Sequence, residues 1–425
     1  MKPVYVMGRR SAFVRSFGVF EDCDALEILS RTTDGLLRAL KLEPSFIDDF
    51  IVGTVIPQTK NPNIARDTIL NLGIAAEIPG YTINRSCFSG LQTVINASMT
   101  IQSGYSSFVL TGGVENLSDV PVMYSREARK FLVRLAKARS ASAKLNIIKH
   151  FRAKAWLPHR PDITEPLTGL SMGLYAETIA RSSGISRKDQ DLYAAESHRR
   201  GANAQEKGLF LSDIIPVWPS PEYSRAVSED DIIGLKYTDD DFIHQKPMFD
   251  KRYGLITGLN SPTLTDGAAV CLIADEAAAN AHGLTPSLRI LSWDVLALDP
   301  WKEFLTGPPL TIARLLKKTG MNIKNIDLFE IHESCSAQVL SCLSLLNSDE
   351  FSSHYLGKSK AIGAPEPDKV NVNGGAIAIG HPFGATGLRM LITLERELKA
   401  QDLHYGIIVI SSPGGITGSL LVERI

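Results

Sequence analysis

A single cysteine, Cys87, lies in a run of small and polar residues (84–90) ahead of an apolar stretch (91–102) with helical spacing. The stretch ends at Ser103-Gly104, a C-terminal glycine signal. Unpaired N–H groups and the dipole at a helix N-terminus favour negative charge, so they lower the pKa of a cysteine there and make it a better nucleophile. The alternative is a buried free cysteine, the commoner fate of this residue type.

A histidine, His381, occupies the corresponding position near the end of the chain. The order after Cys87 is two residues, glycine, helix, strand and Gly-Gly, and the same order follows His381, with a predicted helix over 388–398 and a strand over 406–410. Duplicated halves that face each other would bring the thiol and the imidazole together, and histidine is the usual base that activates a thiol. Without the repeat, His381 would be interpreted as a structural histidine.

The composition is that of an ordinary globular protein. The chain has 425 residues, 44% of them hydrophobic and 21% charged, and a formal net charge of −1. It has room for two or three domain-sized units, and its charge favours no nucleic-acid partner. The five cysteines form no CxxC pair, so neither a disulfide framework nor a zinc site is expected. With no secretory or transit segment and no apolar stretch of membrane-spanning length, the expected compartment is the cytoplasm.

Helices and strands alternate over residues 4–113. Apolar residues at helical spacing predict helices over 25–40 and 64–72, and a short apolar run predicts a buried strand over 50–55. Another strand, over 108–110, follows the helix after the cysteine. This alternation predicts a layered α/β domain.

Residues 125–160 differ from the rest of the chain, because they hold eleven cations and the single anion Glu127. Apolar residues at helical spacing stop at Ala138, and a second apolar set follows residues 140–142, which predicts two cationic amphipathic helices. Such helices suit a membrane surface or an acidic partner, whereas a solvated face that meets ligand phosphates or nearby acidic residues is the alternative. The cations are Arg126, Arg129, Lys130, Arg134, Lys137, Arg139, Lys144, Lys149, Arg152, Lys154 and Arg160.

Eight short motifs spread along the chain carry a family resemblance. They are residues 53–57, 86–87, 112–121, 171–173, 260–261, 266–269, 332–338 and 374–387. The last, which contains His-Pro-Phe-Gly from His381 onward, is the most specific, and any one alone would be a weak signal. Together they make the chain resemble the thiolase superfamily of acyltransferases over nearly its whole length. It is most similar to the 3-ketoacyl-CoA thiolases that form the β-subunit of fatty-acid oxidation complexes.

The resemblance implies a five-layer αβαβα fold of two similar halves with a loop domain inserted in the first. Residues 1–120 with 246–284 would form the N-terminal half, 121–245 the inserted loop domain with its basic amphipathic hairpin, and 285–425 the C-terminal half. It also implies a homodimer or a dimer of dimers. In the β-subunit group the corresponding basic hairpin is associated with membrane or partner contact, which favours a location peripheral to a membrane or a partner subunit at residues 125–160.

The same resemblance implies which residues act on the substrate. Cys87 matches the nucleophile that takes the acyl group from acyl-CoA, and His381 matches its base. His332 is expected to donate to the thioester or enolate oxygen, with Glu333 orienting it or a water; a structural pair is the alternative for these two. CoA thioesters are substrates, and neither a metal nor a prosthetic group is implied.

Two residues depart from the family pattern. Thiolases carry a second cysteine, in a Cys-x-x-Gly-Gly run, that moves the proton at the reacting carbon, and Ser411 stands in its place. A serine hydroxyl is far less acidic than a thiol of pKa about 8.5, and losing such a group costs roughly 10²–10⁴-fold in rate. Pro413 stands where a backbone N–H helps to bind the oxyanion. Proline has no N–H, and losing one such donor costs on the order of 10²–10³ in rate.

The sequence therefore predicts an acyltransferase that forms an acyl-enzyme on Cys87 and is impaired in thiolysis. Cys335 replaces a bulky aromatic residue of the motif, and it either supplies the missing thiol or is a buried structural cysteine. The competing hypothesis is a non-catalytic subunit that binds acyl-CoA or a partner. Retention of Cys87, His381, His332 and Glu333 argues against complete decay. Acyl chain length and the direction of reaction, thiolysis or condensation, stay open.

Overall fold

A mixed β-sheet is the central element of the fold. The computed structural model describes residues 1–158, 164–165, 167–233, 237–301 and 307–425. The strands predicted over 108–110 and 406–410 are present and extend further than expected, because backbone pairing continues into their polar and glycine ends, whereas the strand predicted over 50–55 ends two residues early, at Gly53. The strands are β1 (Pro3–Arg10), β2 (Val14–Arg15), β3 (Asp49–Gly53), β4 (Gly80–Ile83), β5 (Phe108–Glu115), β6 (Thr265–Asp275), β7 (Leu288–Ala297), β8 (Leu328–Ile331), β9 (Tyr405–Ser412) and β10 (Ile416–Arg424).

The first two helices of the chain have the bounds that the sequence predicted. The first begins after Asp24, whose carboxylate accepts from the Glu27 N–H as an N-cap, and ends before Lys41 in the left-handed conformation. Among the described residues, no helix is both long and apolar enough to cross a membrane. The helices are α1 (Ala25–Leu40), α2 (Ile64–Leu72), α3 (Ser89–Gln102), α4 (Arg126–Lys137), α5 (Ala141–Ile148), α6 (Met172–Ser182), α7 (Arg187–Glu206), α8 (Asp239–His244), α9 (Glu276–Ala281), α10 (Pro308–Thr319), α11 (Ser336–Leu346), α12 (Asp349–Leu356), α13 (Ala376–Ile379) and α14 (Phe383–Ala400).

The sheet consists of two similar halves joined in the middle. Its order is β4-β3-β5-β6-β1-β7-β10-β9-β8, and β2 pairs with β6. The β3 strand is parallel to both β4 and β5, as β8 is to β9, and the other pairs are antiparallel. Only Val4 and Tyr5 of β1 pair with β7. Each half therefore carries its own parallel strands, as a duplicated fold requires.

Helices α3 and α14 form the layer between the two halves. They pack against each other, and α14 contacts β5 and β6 of one half as well as β8 and β9 of the other. On the outer faces, α1 and α2 cover the first half and α10 covers β7 and β10 of the second. The sequence of layers is α, β, α, β, α, which confirms the predicted five-layer fold.

Glycines allow the two central helices to meet at their N-termini. A Cβ added at Gly90 or at Gly113 would overlap the carbonyl oxygen of Gly384 in the first turn of α14, so a side chain at either position would force the halves apart. The α14 helix begins at Phe383, five residues before the predicted start at Leu388. Its glycine-rich first turn has weak helix propensity, but packing against the other half fixes it.

The chain divides into two compact units. The smaller comprises Gln58–Lys60 and Val120–Ile163, and the larger comprises the rest. The smaller unit contains α4 and α5, so two helices are present where they were predicted; α4 carries five cations, whereas α5 carries Lys144 alone. Its aromatic side chains Phe131, Phe151 and Trp156 are in mutual contact, with Phe131 edge to face against the other two rings. Arg160 lies outside the described residues, and the predicted boundaries of the three parts stay a prediction.

Candidate active site

Cys87 lies in a tight turn two residues before α3. The turn is held by Ser89, whose hydroxyl accepts from the Arg85 N–H at 2.7 Å and donates to the Ser86 carbonyl at 2.6 Å. Ser86 has a φ of 51°, in the left-handed region that residues other than glycine adopt at a cost. Cys87 itself is 7% exposed, so it is buried.

His381 contacts the thiol directly. Its Nε2 lies 3.3 Å from the Cys87 Sγ, and its Nδ1 lies 2.7 Å from the Thr386 Oγ1. If Nε2 is to take the thiol proton, Nδ1 must carry the other hydrogen, and the Thr386 hydroxyl can accept it. The structure therefore brings together the two residues that the internal repeat predicted to meet.

His332 completes a cluster of three buried donor groups. Its ring centroid lies 4.3 Å from that of His381, and one donor atom each of Cys87, His332 and His381 lies within 4.8 Å of the others. The His332 backbone N–H donates to Val409 of β9 at 2.9 Å, while its Nδ1 has no hydrogen-bond partner among the described residues. Such a donor set would also suit a metal ion, so the expectation that no metal is used stays a prediction.

Burial sets the protonation of this cluster. It raises the pKa of Cys87 to about 12, with the charge of Glu115 as the second cause, and it lowers the pKa of His332 to about 3. Burial, followed by His332 and Arg389, holds the pKa of His381 well below its ordinary value. The predicted lowering of the Cys87 pKa by the helix terminus is thus wrong, because desolvation outweighs it. Thiol and imidazole are both neutral, and the proton must move as the sulfur attacks.

Glu115 ties the cysteine half to the histidine half. This carboxylate at the end of β5 accepts from the N–H groups of Val55, Ile56 and Gly384 at 3.0, 2.8 and 3.2 Å, and from the Thr54 hydroxyl at 3.2 Å. Burial nevertheless raises its pKa to about 7. It therefore fixes the first turn of α14, and with it His381, against the loop after β3.

Glu333 supports the histidine loop from the opposite side. Its oxygens accept from the Tyr193 hydroxyl (2.9 Å), the Ser197 hydroxyl (3.0 Å), the Asn371 amide (2.9 Å) and the Ile377 N–H (2.8 Å). None of its hydrogen bonds within the described residues goes to His332. The carboxylate therefore anchors the segment that leads into His381 rather than orienting the neighbouring imidazole.

The turn that departs from the family pattern lies at the end of β9. Ser411 is 1% exposed, and its hydroxyl has no hydrogen-bond partner within the described parts of the chain. Pro413 begins a short turn, Pro413–Gly415, in which the Gly414 N–H donates to the Glu165 carboxylate at 2.6 Å. The first N–H after Pro413 is therefore directed at a carboxylate.

Cys335 is buried in a structural position. Its sulfur accepts from the Gln338 N–H at 3.4 Å as the N-cap of α11, and burial raises its pKa to about 12. It packs in a cluster with Ala176, Ala180 and Ile256. These contacts support the interpretation as a structural cysteine over that of a replacement acid.

Three functional contacts escaped the sequence analysis. Thr386 was inside the histidine motif, and a hydroxyl one helical turn beyond a catalytic histidine was a usable signal. Glu115 is the last residue of a buried strand, where a carboxylate is unusual, and that too was visible. Glu165 gave no signal, because only the folded chain brings it to Gly414.

Comparisons with known proteins agree along the whole chain. Residues 4–277 match the thiolase N-terminal domain and residues 284–424 match the thiolase C-terminal domain. The 3-ketoacyl-CoA thiolase of Serratia proteamaculans is 33% identical over 98% of this chain and 96% of its own length. The mitochondrial trifunctional enzyme subunit beta of Bos taurus is 35% identical over 99% of this chain and 88% of its own.

A solved structure of a related acyltransferase has the same fold. The acetyl-CoA acetyltransferase of Bacillus anthracis superposes with a TM-score of 0.86 at 28% identity, covering 100% of this chain and 99% of that one. With both domains matched and relatives above 30% identity over nearly the full length, the chain belongs to the thiolase family of acyltransferases.

Proposed function

We propose that the chain accepts an acyl group from a CoA thioester onto Cys87, as an acyl-CoA acyltransferase of fatty-acid metabolism. One observation carries this proposal: the Cys87 Sγ lies 3.3 Å from the His381 Nε2, and Thr386 holds the other ring nitrogen. A neutral thiol at this distance from a neutral imidazole is activated at the moment of attack, when its proton passes to Nε2. The printed names of the relatives, 3-ketoacyl-CoA thiolase and acetyl-CoA acetyltransferase, agree with this chemistry.

His332 is the group that we assign to the substrate oxygen. Its low pKa keeps the imidazole neutral. A neutral imidazole carries one N–H, which can donate to the thioester oxygen. Its unpartnered Nδ1 shows that the ring is not fully occupied by contacts within the described protein. Glu333 acts indirectly, by anchoring the segment that leads into His381.

We further propose that cleavage and formation of the carbon–carbon bond are impaired. Ser411 cannot serve as the acid or base at carbon that a thiol would provide, and Pro413 removes one oxyanion donor. These losses typically cost roughly 10²–10⁴ and 10²–10³ in rate, and they need not multiply because they affect one reaction. Acylation of Cys87 by thioester exchange uses neither carbon acid nor carbon base, so it is affected less.

A non-catalytic subunit that only binds acyl-CoA or a partner is the competing function. The observation against it is the cost of the retained cluster: three buried polar side chains, each desolvated enough to shift its pKa, lie within reach of one another. A scaffold gains nothing from such a cluster. The bovine relative is named as a subunit of a trifunctional enzyme, and this name supports the hypothesis of a partner subunit.

Intact-mass measurement tests the acyl-enzyme. The protein is mixed with acetyl-CoA and with longer acyl-CoAs, quenched in acid and weighed, and the modified peptide is mapped. We expect one acyl group per chain on Cys87, and none on Cys87→Ala. Absence of any adduct from the wild-type protein, at times when CoA release is also absent, would reject the proposal and favour the non-catalytic subunit.

The basic hairpin, residues 125–160, is assigned to an anionic surface. Its described cations are exposed, and so are Leu132, Val133, Leu145 and Ile148 on the same two helices. A surface with both properties suits a membrane of anionic lipid or an acidic partner subunit. Cosedimentation with vesicles of anionic and of neutral lipid tests it: binding to anionic vesicles alone supports a membrane surface, and binding to neither leaves the partner subunit.

Assembly and compartment complete the proposal. We propose a homodimer or dimer of dimers, following the family resemblance, which sedimentation velocity measures directly. The cytoplasm, with peripheral membrane contact through the hairpin, agrees with five cysteines that are all free and buried, as expected in a reducing compartment.

A further inference from the structure

Two polar atoms at the adjacent ends of β8 and β9 are buried and have no partner among the described residues. They are the His332 Nδ1 and the Ser411 Oγ, and the residues that carry them are 2% and 1% exposed. Buried polar groups in folded proteins are paired with protein atoms or with ordered water in the great majority of cases. No described protein group pairs with these two atoms, so both are available to bind substrate or water.

The end of β9 runs between the loop of His332 and the loop of Cys87. Val409 of β9 accepts from the His332 N–H at 2.9 Å, and the Ser412 hydroxyl donates to the Arg85 carbonyl at 3.4 Å. Ser411 lies between these two anchors along the strand, so its backbone passes between the two loops. A water bound by Ser411 and His332 would therefore lie close to an acyl group carried by the sulfur.

The site holds one base and lacks a second. Making or breaking a carbon–carbon bond at the acyl-enzyme needs a group that moves a proton at carbon, in addition to the base that serves the sulfur. Among the described residues of the cluster, His381 serves the sulfur and His332 is assigned to the substrate oxygen, while the Glu333 oxygens are engaged by four other groups. Attack by water needs only the single base, because the proton leaves from oxygen.

We propose that water is the acceptor of the acyl group, so that the chain hydrolyses acyl-CoA thioesters, with Ser411 and His332 binding the attacking water. This inference rests on the acyl-enzyme of the proposed function and states how the acyl group leaves it. A hydroxyl in place of a thiol is suited to the role, since Ser411 both donates to and accepts from a water.

The steps balance without any further reactant. The Cys87 thiol gives its proton to the His381 Nε2 as sulfur bonds to the acyl carbon, and the carbon–sulfur bond to CoA breaks, with CoA leaving as the thiol with that proton. Water then bonds to the acyl carbon as it gives a proton to Nε2. The bond to Cys87 breaks, and the thiolate takes the proton back. The products are a carboxylic acid and free CoA, and nothing is oxidised or reduced.

The test follows the acyl-enzyme in water enriched in ¹⁸O. The protein is acylated with a saturated acyl-CoA, freed from CoA by rapid desalting, and sampled by intact mass while the released acid is analysed by mass spectrometry. We expect the Cys87 adduct to decay without added CoA, and the acid to carry one ¹⁸O atom per turnover. Under multiple turnover, free CoA and acid should appear in equal amounts.

Paired serine variants connect the decay to the site. Ser411→Ala should slow the decay of the adduct about tenfold, the effect of removing one hydrogen bond to the attacking water. Ser352→Ala is the matched control, because Ser352 of α12 is also a buried serine whose hydroxyl lacks a partner among the described residues, and it should leave the decay rate unchanged.

Three results would overturn the proposal. An adduct that persists in water and is discharged only when CoA is added would assign the acyl group to CoA and leave the acyl-enzyme intact. Decay at the same rate in Ser411→Ala would remove the serine from the reaction. No adduct and no CoA release would reject the acyl-enzyme itself, and hydrolysis with it.

Discussion

The two sides of the active site differ in how their polar groups are satisfied. On one side the Cys87 thiol, both nitrogens of His381 and the Thr386 hydroxyl form a continuous chain of contacts. On the other side the Ser411 hydroxyl is unpartnered within the described chain, Pro413 has no N–H, and the next N–H faces the Glu165 carboxylate. On this proposal the nucleophile and its base are retained, whereas the groups assigned to carbon and to the oxyanion are altered.

The largest effect is expected from the nucleophile. Cys87→Ala should abolish the acyl adduct and CoA release completely, because no other sulfur lies in the cluster of donor atoms. Intact-mass analysis after incubation with acyl-CoA measures it. Cys335→Ser is the matched control, since it replaces another buried cysteine with a residue whose hydroxyl can cap α11 in place of the sulfur. Loss of the adduct in this variant would contradict the assignment of Cys87 as nucleophile and Cys335 as a structural residue.

The base should have the next largest effect. His381→Asn removes the group that accepts the thiol proton, and since burial raises the pKa of Cys87 to about 12, little thiolate forms without it. The rate of acylation should fall by roughly 10²–10⁴-fold. Rapid-quench mass measurement gives this rate, and a loss below tenfold would mean that another group takes the proton.

Thr386 should have a smaller effect that acts through the histidine. Thr386→Val removes the 2.7 Å contact to the His381 Nδ1 and should slow acylation about tenfold, the value of one buried hydrogen bond. Thr386→Ser restores the hydroxyl and should restore most of the rate. Equal loss in both variants would show that the methyl group and packing, not the hydrogen bond, are what the site requires.

The smallest effect is electrostatic. The Glu115 charge is the second cause of the raised Cys87 pKa, so Glu115→Gln should lower the pKa of the thiol. The rate of alkylation by a thiol reagent follows the thiolate, and its midpoint should move to lower pH in the variant. An unchanged midpoint would leave burial as the sole cause, and a midpoint moved upward would contradict the assigned sign.

Stability should also depend on Glu115. Its pKa in the folded chain, about 7, lies above its ordinary value of 4.5, so the folded state holds this proton more tightly than the unfolded state. The resulting contribution is fully present below pH 4.5 and is lost as the pH rises through 7. Denaturant titrations at these two pH values should show a smaller fall in stability for Glu115→Gln than for the wild-type protein.

The sequence predicted the parts of the site that depend on local order, and missed those that depend on the fold. The α1 and α2 helices have the predicted bounds, because their apolar spacing and caps are local. The meeting of Cys87 and His381 followed from the internal repeat. The start of α14, the four donors to Glu115 and the contact of Glu165 with Gly414 did not, since each joins segments far apart in the chain. The pKa of Cys87 was predicted in the wrong direction because burial cannot be read from a helix terminus.

The most direct test of the account restores the altered side of the site. The Ser411→Cys, Pro413→Gly double variant and the wild-type protein are assayed side by side for CoA-dependent cleavage of a 3-ketoacyl-CoA, with the Cys87 adduct measured in both. The account predicts that cleavage rises by at least 10²-fold in the double variant, because a carbon acid and an oxyanion donor return together. Equal cleavage by both proteins, with the adduct present in both, would contradict the roles assigned to Ser411 and Pro413.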